Sequence, residues 1–175
     1  CLLSDCLGVT TEGYTQSERS LDATYEALFE KAGGRQLIIT TISSNISRIH
    51  QIVSKAITHN RQVVLSGRSI ESSVRIARSL GYLEFDDNLF VEDKNAEKYQ
   101  QEDLVYLVAG CYGQYNSALG RISRDEHYHI HVEEDSLVVF SADPSPPGVK
   151  EDVNRVQDQL TLRGAEVVYS EIQEN

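Results

Sequence analysis

The chain lacks several features that on their own would assign a protein to a class. No methionine occurs among its 175 residues, and no apolar run approaches the roughly 20 residues that a membrane-spanning helix needs. The amino terminus also lacks the charged lead and long apolar core of a signal peptide. We therefore expect no membrane span and no secretory leader. Because the chain starts inside an apolar run and has no methionine, we predict that it is a piece of a longer protein.

Cysteine is scarce, and the common signatures of nucleotide and metal sites are missing. The three cysteines, Cys1, Cys6 and Cys111, form no C-x-x-C pair and no even disulfide framework, so we expect reduced thiols in a cytoplasmic protein. The sequence has no H-E-x-x-H, H-x-x-E-H or Walker pattern and no G-x-G-x-x-G that opens a helix. It therefore gives no support for a dinucleotide site, and we predict no metal site within this chain.

Positive charge is also scarce, since 16 lysines and arginines stand against 27 acidic residues, a formal net charge of −11. Phosphate binding relies on cations, so this total argues against a nucleic-acid partner. The distribution weakens that argument, because residues 84–103 alone contain eight acidic residues and two lysines. Arg48 and Arg68, in contrast, lie beside polar clusters with few acids. We therefore predict a mostly acidic body with a locally basic crevice.

What the sequence does contain is a repeated pattern of apolar runs that end in small polar or glycine-rich clusters. The pattern occurs at residues 36–45, 63–69, 104–114 and 137–148. In a parallel α/β sheet such clusters meet at the carboxyl edge, where these sheets bind ligands. Helices that begin at that edge offer free N–H groups to phosphates. The pattern therefore predicts a ligand rich in phosphate.

Hydrophobic periodicity predicts a single α/β domain over residues 1–175. We expect a three-layer, mainly parallel, Rossmann-like sheet with helices on both faces. Strands are expected near residues 1–4, 36–42, 62–66, 104–109, 128–132, 136–140 and 165–170. Helices are expected near residues 17–32, 45–59, 69–80, 116–124 and 149–163. The acidic residues 84–103 are expected to form an exposed excursion.

The most specific local signal is at residues 43–48, which read Ser-Ser-Asn-Ile-Ser-Arg. Ser43, Ser44 and Asn45 stand at the start of a predicted helix, and Arg48 follows one turn later. Two hydroxyl groups, an amide, free N–H groups and a guanidinium can together hold a phosphate. The alternative is an ordinary helix N-cap followed by a solvated arginine.

A similar arrangement follows the next predicted strand, where residues 66–69 read Ser-Gly-Arg-Ser. Gly67 lets a ligand approach the backbone closely, and Arg68 offers a bidentate fork for phosphate. The alternative is a tight turn between strand and helix, with Ser69 as the cap.

The segment 110–115 is open to two interpretations. It could present Tyr112 or Tyr115 for stacking on a base, as in proteins that bind single strands, or it could form a glycine turn with partly buried tyrosines. Cys111 follows a predicted strand but has no assigned base beside it, so we do not expect a thiol nucleophile.

Three histidines, His127, His129 and His131, alternate along the sequence and would share one face of a strand. Alternating histidines can bind zinc, but a zinc site needs further ligands within reach. Glu133 continues the spacing and nothing else supports a site. We therefore predict an exposed strand here.

Several motifs together resemble one known family. Residues 2–5 read Leu-Leu-Ser-Asp, and residues 13–18 read Gly-Tyr-Thr-Gln-Ser-Glu. Residues 43–49 contain Ser-Asn-x-x-Arg, residues 67–69 read Gly-Arg-Ser, and residues 80–83 read Leu-Gly-Tyr-Leu. In this order along the whole chain, the motifs resemble the β-CASP domain of ribonuclease J-like nucleases, which belong to the metallo-β-lactamase superfamily.

The resemblance implies a role in RNA processing or decay by a zinc-dependent ribonuclease. A lactamase-like domain of the same polypeptide would hold two zinc ions, with ligand motifs outside this chain, and would hydrolyse RNA phosphodiester bonds. This chain would be the lid that binds single-stranded RNA and would be inactive alone. Asp5 falls at the acidic motif next to the catalytic centre, and the longer protein could form a homo-oligomer. The residues implied to line the RNA cleft are Ser43, Ser44, Asn45, Arg48, Arg68 and Ser69.

Two segments depart from the family pattern. Residues 110–114 read Gly-Cys-Tyr-Gly-Gln where the family has Gly-Ser-Gln-Gly-Glu, and residues 146–149 read Pro-Pro-Gly-Val where it has Pro-Gly-Asn-Glu. These departures leave two alternatives open. The chain could be a non-enzymatic α/β module that binds a nucleotide or a phosphorylated metabolite. It could also keep the nuclease fold, with catalysis lost and a scaffolding role in its place.

Overall fold

Six parallel strands form the central sheet in the part of the chain that the structure describes. The structure is a computed structural model and describes residues 1–4, 12–14, 17–142, 146 and 148–169. The strands are β1 Leu37–Thr41, β2 Gln62–Ser66, β3 Phe90–Glu92, β4 Leu104–Val108, β5 Leu137–Ser141 and β6 Glu166–Tyr169. Their order across the sheet is β3-β2-β4-β1-β5-β6, and every neighbouring pair is parallel. β4 and β1 therefore lie at its centre.

The connections between the strands are helical. The α-helices in the described ranges are α1 Asp22–Ala32, α2 Ile46–Thr58, α3 Arg68–Ser79, α4 Ala118–Ser123 and α5 Lys150–Leu162. Short 3₁₀ helices span Glu18–Leu21, Asp87–Leu89, Asp93–Lys98 and Gln101–Asp103. Polar side chains begin two of the α-helices, because Asn45 caps α2 and Ser117 caps α4 by accepting backbone N–H groups. Over these same ranges, every helix is too short or too polar to cross a membrane.

Alternating strand side chains divide the core between the two faces of the sheet. Leu37 and Ile39 of β1 pack with α1, α2 and α3, whereas Ile38 between them packs with α4 and α5 on the opposite face. All five residues of β1, and all five of β4, are buried. Burial on both faces explains why these strands are nearly continuous apolar runs. The predicted three-layer, mainly parallel α/β fold is confirmed.

Two of the predicted strands are wrong. Residues 1–4 and residues 128–132 have no regular secondary structure. In the second segment, the buried ring of His127 accepts the backbone N–H groups of His129 and Ile130. Those N–H groups are therefore used locally and cannot join a ladder of strands. The alternation of histidines is a feature of a folded loop, not of a pleated strand.

The acidic residues 84–103 are exposed, but they also contribute to the sheet. They add the edge strand β3, which pairs with β2, and return to β4 through 3₁₀ helices. Val91 and Ala96 are buried within the segment, while every acidic side chain in it except Asp93 is exposed. A few apolar anchors therefore hold the excursion against the body, and its charge faces water.

The helices that follow the central strands leave the sheet in opposite directions. α2 and α3, which follow β1 and β2, cover one face, whereas α4, which follows β4, covers the other. β4 lies between β2 and β1 in the sheet. The loops at the carboxyl ends of these three strands therefore diverge and open a crevice, which is the usual ligand position in such sheets.

Candidate nucleic-acid interface

The crevice at the carboxyl ends of β1, β2 and β4 is a cleft of about 830 Å³, called the first cleft below. The side chains with hydroxyl, amide or guanidinium groups that line it are Thr41, Ser43, Ser44, Arg68, Ser69, Ser73, Tyr112, Gln114, Asn116, Ser117 and Arg121. None of its described lining residues is acidic, although the chain has a formal net charge of −11. The first cleft therefore combines guanidinium groups with hydroxyl and amide groups, which suits a phosphate ligand.

Four of the six residues predicted to bind RNA lie together in the first cleft. The Oγ atoms of Ser43, after β1, and Ser69, in the first turn of α3, are 2.9 Å apart. Ser44 and Arg68 line the same space. β1 and β2 are not neighbours in the sheet, so their loops meet because all parallel strands end at one edge. The contact of these four residues with RNA stays a prediction.

Asn45 and Arg48, the other two predicted residues, do not line the first cleft. Asn45 is the N-cap of α2, and its Oδ1 accepts the N–H of Arg48 at 3.1 Å. The Arg48 side chain donates from Nε and Nη2 to the Glu18 carboxylate at 3.0 and 2.8 Å. Its Nη1 donates to the Ser141 carbonyl at 2.8 Å. A role of both residues in RNA binding stays a prediction, and these contacts describe a structural role.

The contacts of Arg48 join three separate parts of the chain, and we call Glu18, Arg48 and Ser141 the Arg48 network. Glu18 belongs to the first 3₁₀ helix, Arg48 to α2 and Ser141 to the end of β5. The hydrogen bond from Arg48 is the largest cause that holds the pKa of Glu18 below its usual range. The Glu18 carboxylate is therefore ionised at neutral pH and fixes the segment before α1 against the body.

Arg68 and Arg121 are the cations of the first cleft. Neither guanidinium forms an ion pair within the described ranges. Arg121 was not predicted from the sequence, yet its Nε is buried and has no hydrogen-bond partner there. A usable signal was present, because Arg121 follows the N-cap Ser117 by one helical turn, much as an arginine follows the cap of α2. Free guanidinium donors favour an anionic ligand.

The aromatic and thiol groups of segment 110–115 have different surroundings. Tyr112 lines the first cleft. Tyr115 is instead covered by Arg124, whose guanidinium carbon lies 3.6 Å from the centroid of the ring. Cys111 lines the cleft, but burial raises the pKa of its thiol to about 11. The thiol is therefore protonated at neutral pH and is a poor nucleophile. Of the two tyrosines, only Tyr112 lines the first cleft.

His127 lies close behind the first cleft and not on an exposed strand. Its side chain is 6% exposed, and its Nδ1 accepts the N–H groups of His129 and Ile130 at 3.3 and 3.2 Å. With Nδ1 an acceptor, the ring proton is assigned to Nε2, which lies 3.0 Å from Oγ of Ser66 at the end of β2. Burial is the largest cause that lowers the pKa of His127. Neutral His127 therefore ties β2 to the loop after α4.

The described residues do not fit a metal centre. Within those ranges, no group of three or more His, Cys, Asp and Glu side chains could hold a metal ion. The resemblance places the two-zinc centre in a lactamase-like domain outside this chain, and that placement stays a prediction. Asp5, predicted to lie next to that centre, is outside the described residues.

Gly67, which leads from β2 into Arg68, is expected to reject any side chain. Its φ is +116°, and a Cβ there would lie 2.6 Å from the Cβ of Ala109. Gly67→Ala should lower the free energy of unfolding by about 2 kcal/mol, because backbone strain and crowding add. Urea denaturation measures the loss. Gly148→Ala is the matched control, since Gly148 has φ +87° and no heavy atom of the described residues lies within 4 Å of its Cβ position. If both variants lost the same free energy of unfolding, crowding against Ala109 would not contribute to the effect of Gly67→Ala.

Comparison with known proteins places these features in one family. The family model described as "Ribonuclease J, beta-CASP domain" matches residues 34–160. A ribonuclease J of Synechocystis sp. is 38% identical over 173 residues, which cover 99% of this chain and 27% of that protein. A ribonuclease J of Helicobacter pylori is 37% identical over 170 residues, or 97% of this chain and 24% of that protein. Ribonuclease J2 of Bacillus subtilis is 32% identical over 171 residues, which cover 97% of this chain and 30% of that protein.

Proposed function

Because the chain belongs to the ribonuclease J family, in which it is a β-CASP domain, we propose that its first cleft binds the phosphate backbone of single-stranded RNA. The observation that carries the proposal is the pair of arginines, Arg68 and Arg121, in a cleft whose described lining has no acidic residue. Each guanidinium offers forked donors that match phosphate oxygens. The hydroxyl groups of Ser43 and Ser69 add neutral donors of the kind that positions a nucleic-acid backbone.

A single strand suits the first cleft better than a duplex. Tyr112 is the aromatic side chain in its lining, and a base can stack on such a ring only when it is free of a paired partner. Stacking tolerates any base, and the arginines contact backbone atoms that every nucleotide shares. The proposed binding is therefore weakly dependent on sequence and strongly dependent on salt.

For the longer protein we propose hydrolysis of RNA phosphodiester bonds in the cytoplasm. The chain spans 24% to 30% of the length of the three relatives, so most of a protein of that size lies outside it. We place the two zinc ions in a lactamase-like domain of the same polypeptide, where they would activate a water molecule. In this proposal Asp5 borders that centre, the longer protein forms a homo-oligomer, and the present chain alone binds RNA without cleaving it.

Arg68→Ala and Arg121→Ala should each weaken binding of a fluorescent oligouridylate about tenfold, since a hydrogen bond to a charged group contributes about 1.5–3 kcal/mol. Each variant should also make the dependence of log K on log salt shallower by about 0.7, the expected share of one phosphate contact in a single strand. Fluorescence anisotropy at several salt concentrations measures both quantities on the chain.

Arg75→Ala is the matched control for this experiment, because Arg75 is an exposed arginine on the same helix as Arg68 and does not line the first cleft. It should bind RNA like the unmodified chain. Unchanged affinity in both cleft variants would overturn the proposed function. A mononucleotide that competes as strongly as the oligonucleotide would instead favour the module for a nucleotide or phosphorylated metabolite.

A further inference from the structure

A second cleft, of about 850 Å³, adjoins the first across the start of α2. Its lining includes Arg19, Ile46, Ser47, His50, Gln51 and Tyr82. Ser43 and Ser44 line the first cleft, so the first turn of α2 forms a wall between the two spaces. Three helical residues span only about 5 Å along the axis, so a flexible chain that fills one cleft can cross into the other.

The acidic residues of the second cleft already have cationic partners. Glu18 pairs with Arg48 at 2.8 Å, and Asp22 pairs with Lys55 at 2.9 Å. Arg19 also lines the second cleft, is exposed, and has no ion pair within the described ranges. The charged side chain of the second cleft that has no ion-pair partner in the described ranges is therefore a cation, as in the first cleft.

Aromatic rings and a free acceptor accompany this charge. The Tyr82 side chain is 70% exposed, and the ring of His50 is backed by Phe85 at a centroid distance of 5.1 Å. Gln51 donates from Nε2 to the Glu18 carbonyl, while its Oε1 is buried and has no hydrogen-bond partner among the described atoms. Exposed rings beside a cation are typical of sites for single-stranded nucleic acid.

We propose that the second cleft is an extended subsite for the nucleotides that continue from the first cleft across the start of α2. Tyr82 stacks on a base there, and Arg19 contacts the adjacent phosphate. This inference rests on the proposed function, because it requires RNA in the first cleft. It adds a prediction that the first cleft does not make, namely that affinity depends on the length of the strand.

The test compares oligouridylates of about three and about ten nucleotides, lengths that bracket a site of one domain. The longer strand should bind the chain more tightly. Tyr82→Ala, which removes one stacked base, should reduce affinity for the longer strand about fivefold. Arg19→Ala, which removes one phosphate contact, should reduce it about tenfold. Both variants should bind the shorter strand like the unmodified chain. Tyr128→Ala is the matched control, since Tyr128 is 86% exposed and lines neither cleft.

Equal affinity for both strands, or no response of the longer strand to Tyr82→Ala and Arg19→Ala, would overturn the extended subsite. Neither result affects the proposed function if Arg68→Ala still weakens binding of the shorter strand. Conversely, if Arg68→Ala binds the shorter strand with unchanged affinity, the proposal that fails is RNA binding in the first cleft. The two proposals therefore fail by different measurements on the same set of variants.

Discussion

Arg48→Ala is expected to lower the free energy of unfolding by about 3 kcal/mol, because it breaks a largely buried ion pair and removes the hydrogen bonds that Arg48 donates to Glu18 and to the Ser141 carbonyl. The Arg48 side chain is 10% exposed and donates two hydrogen bonds to the Glu18 carboxylate. Its loss also leaves the Ser141 carbonyl with the hydroxyl of Thr41 as its remaining side-chain donor among the described contacts. Water reaches part of Glu18, which keeps the cost at the lower end for a buried pair.

The salt dependence of RNA binding, measured where the same variant is still fully folded, distinguishes this structural role from the predicted RNA contact of Arg48, because the structural role alone leaves the slope unchanged. Urea denaturation gives the stability, and fluorescence anisotropy gives the salt slope. Arg155→Ala is the matched control, because Arg155 is also paired with a carboxylate on a helix, yet both side chains are about half exposed. It should lose less than about 1 kcal/mol. A shallower salt slope in Arg48→Ala would place this residue in the RNA site after all.

The position of Arg48 shows where reasoning from the sequence stops. The segment 43–48 indicates a helix start with a nearby arginine, and the structure has that start. The direction of the guanidinium depends on Glu18, which lies 30 residues earlier in the chain. Such a tertiary pairing has no local signature. The same motif can therefore serve a ligand or the fold, and only the packed structure distinguishes the two.

The central sheet could be predicted because its strands are buried on both faces. A continuous apolar run followed by a polar cluster indicates a parallel strand and its carboxyl end, as at β1 and β4. Parallel order then brings those ends to one edge without any knowledge of side-chain contacts. This topology explains why Ser43 and Ser69 lie at the same edge of the sheet, where their hydroxyl groups are 2.9 Å apart.

The edge of the sheet could not be predicted in the same way. β3 has three residues, of which only Val91 is buried, so its apolar signal is lost within an acidic segment. The place of Arg121 in the first cleft could not be predicted for a related reason. Its helix, α4, has only six residues, which is too short for a clear hydrophobic periodicity. Short elements derive their conformation from what they pack against, and the sequence does not display those neighbours.

His127→Ala should lower the free energy of unfolding by about 3 kcal/mol near neutral pH, because it opens a cavity and removes the side-chain partner of three hydrogen-bonding groups. The groups are the N–H groups of His129 and Ile130 and the hydroxyl of Ser66. His129→Ala is the matched control, since His129 lies exposed in the same loop and should have little effect. Urea denaturation measures both variants.

The pH dependence of this fall in unfolding free energy tests whether His127 has a lowered pKa in the folded chain or contributes by packing alone. Desolvation lowers the pKa of His127 in the folded chain, with Arg121, His129 and His131 acting in the same direction and Asp93 opposing them. The unfolded chain takes up a proton at the ordinary value of about 6.5. Stability from His127 is therefore fully present above that pH and is lost as the pH falls below it. The difference in unfolding free energy between the unmodified chain and His127→Ala should shrink from about pH 7.5 to about pH 5.5, a range around that ordinary value. A constant difference would mean that His127 accepts a proton as readily in the folded chain as in the unfolded one.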